Sequence, residues 1–270
     1  MKYLALALLA VPCAAVAEPL TVDNGRLFIP VTLSGFPTEA LLDSGAEATI
    51  VDPSLAAKAK LPKGEAVKMK GSGGEQSGHL VEGVTVSALG VALHPDAVVV
   101  LDLADLTKRL VKRPTSMILG REMFDAARLQ IDISGGTIAT VPATGNPVGH
   151  RLDLTAHAGI ESVPVKVNGV WAQADFDLGN GSGVMISRDM VKKLKLKITG
   201  KKSGGGIGGA LQRDTVTIPT LHVAGETFRN VPASIDDQSS HNDLNVGTSI
   251  LKNFVITTDF KQRAVWLQPK

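Results

Sequence analysis

Short apolar runs broken by turn residues dominate this chain, and long amphipathic stripes are absent from it. Residues 27–33 and 38–42 flank Ser34-Gly35-Phe36-Pro37, the pattern of two strands joined by a hairpin turn. Stretches 84–93 and 97–101 predict two more strands. Residues 125–133 lead into another, and Gly135-Gly136 turns the chain into a strand over 137–141. Helical character is confined to 53–60, 121–127, 187–196 and 249–254, with Ser187 placed to cap the third. The expectation is an all-β fold with short helices.

The pattern also repeats. Pro30-Val31-Thr32-Leu33-Ser34-Gly35 has a counterpart in Pro164-Val165-Lys166-Val167-Asn168-Gly169. Eight residues after each of these glycines comes an aspartate, Asp43 or Asp177, so one offset of 134 residues relates Pro, Gly and Asp alike. Ile118-Leu119-Gly120 has a relative in Asn245-Val246-Gly247, and each of those glycines lies 12 residues before Asp132 or Asp259. Val84-Thr85-Val86 resembles Val216-Thr217-Ile218. Matches in the same order read as a duplicated domain. Lobe one spans 18–144 and lobe two 152–270, joined through the Pro/Gly-rich segment 142–147.

Composition narrows the partners. Twenty-eight Lys and Arg against 26 Asp and Glu leave a formal charge of +2 with no basic tract, which argues against nucleic acid. Residues 1–17 have the form of a secretory signal peptide: a basic start, an apolar run and Ala15-Val16-Ala17 as the small-x-small cleavage site. Pro12 beside Cys13 fits a lipidation site poorly. The expected mature chain holds no cysteine and no tyrosine, and no later run is apolar enough for stable membrane insertion. A periplasmic or secreted protein, monomer or homodimer, is expected.

The chemistry sits in Ala40-Leu41-Leu42-Asp43-Ser44-Gly45-Ala46, where an apolar strand delivers a carboxylate onto a tight turn. Two such turns face to face would hold two carboxylates about 3 Å apart, sharing one proton. One could then act as general base on a water while the other polarises a carbonyl.

Asp43-Ser44-Gly45-Ala46 in this apolar setting resembles the active-site signature of the retropepsin-like aspartic proteases, and Ile118-Leu119-Gly120 resembles the element that packs beneath it. The resemblance runs over both lobes. It implies a two-lobed, duplicated acid-protease β-barrel fold of the pepsin kind. It implies an aspartic endopeptidase with Asp43 and Asp177 as catalytic pair, an extended peptide or protein substrate, no metal and no cofactor. Ser44, Gly45, Ala46 and Gly179 would shape the substrate site. Glycine-rich segments 71–74 and 204–209 would form flaps, bringing Gly73, Gly74, Gly206 and Gly208 over the substrate. Lobe two departs from the pattern in Asp177-Leu178-Gly179-Asn180. Leu178 replaces the hydroxyl residue that helps brace the turns in the family. Asp175 adds a second acid, and the turn reads as longer than its partner. Those departures leave two alternatives: a non-catalytic peptide-binding module, or a homodimer using two copies of Asp43. The absent tyrosine favours glycine-built flaps.

Other motifs carry less. Gly204-x-Gly206-x-x-Gly209 fits a dinucleotide pattern, but strand rather than helix follows it. The histidines at 79, 94, 150, 157, 222 and 241 form no ligand set. Ser182 lacks the spacing of a nucleophile elbow. Asp132 and Asp259 are expected to anchor turns, and the lysines of 192–197 to face solvent.

Overall fold

The computed structural model describes residues 17–157, 159–237 and 242–270. Most of the expected signal segment, with Tyr3 and Cys13, lies outside the described residues, as does His241. The fold is all-β and two-lobed, with short helices, in three sheets.

The first sheet belongs to the N-terminal half. Its hairpin Arg26–Leu33 and Phe36–Leu42 turns at Ser34-Gly35, both with positive φ. The inward side chains Leu27, Ile29, Val31, Leu33, Ala40 and Leu42 are buried. The 84–93 run is not one strand. It breaks into Val86–Ala88 and Val91–Leu93, because Leu89 and Gly90 both take left-handed backbone and fold the chain back. The second sheet repeats the arrangement in the C-terminal half with Ile160–Val167 and Val170–Phe176.

The third sheet joins the halves. Leu129–Asp132 pairs with Thr137–Thr140 on one side and with Phe254–Asp259 on the other, so Ile131 lies opposite Ile256. Asp132 and Asp259 do anchor turns: each accepts a backbone N–H three residues on, from Gly135 and Gln262. Asp259 also meets the buried Arg128 at 2.9 Å, and Arg128 reaches on to the carbonyls of Pro142 and Gly145. That ties segment 142–147 to the sheet.

Helices cover only short stretches. Ser187 caps Arg188–Lys193 through Met190 N–H, as expected. The last helix is Thr248–Leu251, shorter than 249–254, because Phe254 already opens a strand of the joining sheet. A helical stretch over 104–111 gave no sequence signal: three residues of α-helix run into a wider π-type turn that ends at left-handed Lys112. Among the described residues no helix is long and apolar enough to cross a membrane.

Candidate active site

Two equivalent devices deliver Asp43 and Asp177. Each follows an apolar strand, and each backbone N–H is held by the neighbouring strand, Asp43 by Leu119 O at 3.0 Å and Asp177 by Val246 O at 3.2 Å. Gly120 and Gly247 follow those carbonyls. A methyl on Gly120 would meet Ala46 O at 2.8 Å, and one on Gly247 would meet Asn180 O at 2.2 Å. Only glycine lets these segments pack directly beneath the aspartate turns.

The turns face each other. A methyl built on Gly45 would touch the Asp177 carboxyl at 3.1 Å and Asp43 Oδ1 at 3.3 Å; one built on Gly179 would collide with the Asp43 carboxyl carbon at 2.2 Å. Each glycine thus makes room for the opposite lobe's aspartate. The expected longer turn in lobe two is not present. The next strand opens seven residues after the aspartate in both halves, at Ile50 and at Val184.

Leu178 does not leave the turns unbraced. Ser44 Oγ donates to Phe176 O at 2.7 Å and accepts from Leu178 N–H at 2.9 Å, so one buried hydroxyl holds the backbone on either side of Asp177. The Leu178 side chain is fully buried in the main core.

The carboxyls have unlike surroundings. Asp43 Oδ1 accepts Gly45 N–H at 2.8 Å. Asp177 accepts Asn180 N–H at 2.9 Å on Oδ1 and the Asn245 amide at 2.7 Å on Oδ2. Burial, then the charge of Asp177, raises Asp43 to about 7 against the backbone N–H bonds and the Arg26 guanidinium. Burial also raises Asp177, opposed first by the Asn245 amide, then by backbone N–H groups and Arg26. Asp175 is buried beside the site and accepts from Asn242 at 2.5 Å.

A cavity of about 660 Å³ opens above the pair, lined by Asp43, Gly45, Ala46, Asp177, Gly179 and Gly206 among others. Two hairpins roof it, Glu65–Gly71 with Gly74–Val81 and Ile198–Gly206 with Gly209–Val223. Their tips touch: Gly73 N–H donates to Ile207 O at 2.8 Å. Methyls on Gly73 or Gly208 would strike the opposite tip's backbone at 2.3 Å. Gly73, Gly74 and Gly208 therefore make the tip junction rather than the cavity wall, and Ser44 lies beneath the dyad.

Three arginines of the site belong to no motif of the sequence. Arg109 donates to Gly204 O at 3.1 Å and Gly206 O at 2.9 Å, latching the second hairpin to the first half. Arg213, paired with Asp236 at 2.5 Å, reaches Ser72 O at 3.4 Å in the other tip. Arg26 lines the cavity, 7% exposed. Each acts over more than a dozen residues of chain, which leaves no spacing signal. Asn245 did leave one, as the polar first residue of the Asn-Val-Gly counterpart to Ile-Leu-Gly. The described residues contain no cluster of three or more acids, histidines or cysteines able to hold a metal.

A family described as aspartyl protease matches the chain twice, over residues 29–123 and 163–250. No curated protein matches it.

Proposed function

The chain belongs to the aspartyl protease family, and from that premise we propose that it is an endopeptidase in which Asp43 and Asp177 of a single chain form the catalytic pair. The observation that carries the reading is the reciprocal packing of Gly45 against Asp177 and Gly179 against Asp43. It sets the two carboxyls against each other's turns, beneath a roofed cavity.

The unlike surroundings support a division of roles. Asp43, raised to about 7, keeps its proton through the mildly acidic range. Asp177, whose anion takes the Asn245 amide, is the base. Water attacks the scissile carbonyl carbon as Asp177 takes one of its protons and Asp43 gives its proton to the carbonyl oxygen. Asp177 then protonates the leaving nitrogen, the C–N bond breaks, and Asp43 recovers its proton from the collapsing diol. The signal-like residues 1–17 support export to a periplasm or the exterior.

The test is cleavage of an unfolded protein between pH 4 and 8 by the chain lacking residues 1–17, beside Asp177→Asn. Cleavage that Asp177→Asn abolishes supports the single-chain pair. Cleavage that survives it supports pairing of two copies of Asp43. No cleavage at any pH removes the endopeptidase reading.

Two further outcomes are expected. Asn245→Ala removes a hydrogen bond to the charged form of Asp177, worth roughly 1.5–3 kcal/mol. The acidic limb of the kcat/KM profile should move up by about one pH unit, with the basic limb near 7 unmoved. Movement of the basic limb instead would reverse the assignment of roles. Gly208→Ala, at φ +94° and against the backbone of Gly74, should part the hairpin tips. KM should rise roughly fivefold, on the order of 1 kcal/mol of lost closure; an unchanged KM would mean the tip contact does not hold substrate.

A further inference from the structure

The dyad is nearly symmetric, but the charges around it are not. The 134-residue offset that relates Asp43 to Asp177 also relates Arg26 to Ile160 and Glu47 to Gly181. The contacts follow the same relation. A methyl on Gly181 would meet Arg26 Cγ at 3.0 Å, and one on Gly159 would run into the Glu47 carboxyl. Two identical halves would set an arginine against a glutamate at each end of the cavity. Here one end holds Arg26 opposite a glycine, and the other holds Glu47 opposite Gly159-Ile160.

Arg26 acts on the dyad from a distance but makes few close contacts within the chain. Its guanidinium donates to Asn24 O and Ser182 Oγ, both at a long 3.3 Å. Among the described residues no carboxylate lies within ion-pair distance of it, and the charges of Asp177 and then Asp43 act on it only from farther away. A guanidinium has five N–H donors, and desolvating one without a paired anion is costly. A second cation stands at the same end: Lys202 Nζ donates to Ser182 O at 2.8 Å and also lines the cavity.

We propose that Arg26 is a specificity-determining residue that receives an acidic side chain of the peptide substrate, with Lys202 behind it. The inference rests on the endopeptidase reading. A carboxylate entering this end would meet the planar fork that suits it and supply the anion that Gly181 does not. At the Glu47 end an acidic residue would meet a carboxylate, and the arginine there, Arg121, is already engaged by Asp125, Glu161 and the Gly159 carbonyl. The substrate is thereby set in one direction across a nearly symmetric dyad.

The experiment starts from a peptide cut by the wild-type chain and walks Glu, Gln and Lys singly through the four positions on either side of the cleaved bond. The readout is the Glu-to-Gln ratio of kcat/KM at each position, for wild type, Arg26→Gln and Arg26→Glu at one pH. Each ratio compares two peptides on one enzyme, so any shift in the dyad's own titration cancels. One position should favour Glu about tenfold in wild type, lose that preference in Arg26→Gln, and favour Lys in Arg26→Glu. The same Glu preference in Arg26→Gln, or none in wild type, overturns the proposal. If the wild-type chain cuts no peptide, the endopeptidase reading fails by itself. Calorimetric binding of the Glu and Gln peptides to Asp43→Asn, with and without Arg26→Gln, then decides the matter. A Glu preference that Arg26→Gln removes supports the acid-binding role, and equal or absent binding overturns it.

Discussion

Asp43→Asn is expected to abolish cleavage and at the same time make the protein more stable above pH 7. The loss of activity follows from the acid role proposed for Asp43. An amide can hydrogen-bond the substrate carbonyl but cannot give up a proton and recover it, and general acid–base steps are worth about 10²–10⁴-fold each. Asp177→Asn should be as damaging, since it removes the proposed base. The stability gain has a different origin. Asp43 is raised from the ordinary carboxylate range to about 7 by burial and by Asp177. A carboxyl raised in the folded state contributes stability that is fully present below its unfolded value and is lost as pH rises through the folded value. The window runs from about 4 to about 7, and above it the fold carries two buried, adjacent anions. A shift of that size corresponds to at most about 4 kcal/mol. Asp43→Asn removes the anion, so its melting temperature at pH 8 should exceed that of wild type by roughly 5 °C, with no gain at pH 4. An equal gain at both pH values, or a loss at pH 8, would show that Asp43 is not held protonated by its surroundings.

The same residues mark what the sequence discloses and what it withholds. The aspartate turns, the duplication and the glycine-rich hairpin tips are local strings whose meaning survives without coordinates: apolar strand, carboxylate, glycine. The hairpin 26–42 and the Ser187 cap are legible for the same reason. The run 84–93 misleads because Leu89-Gly90 is a turn written in residues that also suit a strand. The helical stretch 104–111 is too short to show a period, and its π-type turn shifts the spacing.

The site's second layer is harder to read because it is made across the chain. Arg109 holds carbonyls some 95 residues away, and Arg26 meets Ser182 across 156. Leu178 shows the limit most clearly. Read alone, it is a lost hydroxyl. In the structure the bracing passes to Ser44 and to the Leu178 backbone, and the leucine side chain becomes core.

That exchange makes Ser44→Ala the second large expected effect. The Ser44 hydroxyl is buried and satisfies two groups at once, Phe176 C=O and Leu178 N–H. Alanine leaves both unpaired in a site water does not reach, at about 1–3 kcal/mol each. The protein should lose about 3–5 kcal/mol in denaturant unfolding. Both lost bonds hold the segment that carries Asp177, so kcat should fall roughly 100-fold, as misplaced catalytic groups do, with little change in KM. The apparent repair, Leu178→Thr, should not help. Leu178 is fully buried among core side chains, so threonine would leave a void and put a hydroxyl into apolar surroundings, costing about 2–4 kcal/mol. In Ser44→Ala/Leu178→Thr the two losses should at least add, because the new hydroxyl lies on the core side of the turn and cannot reach the groups Ser44 held. Recovery of stability in the double variant would show that either lobe can supply the brace, and that the leucine side chain is not fixed in the core.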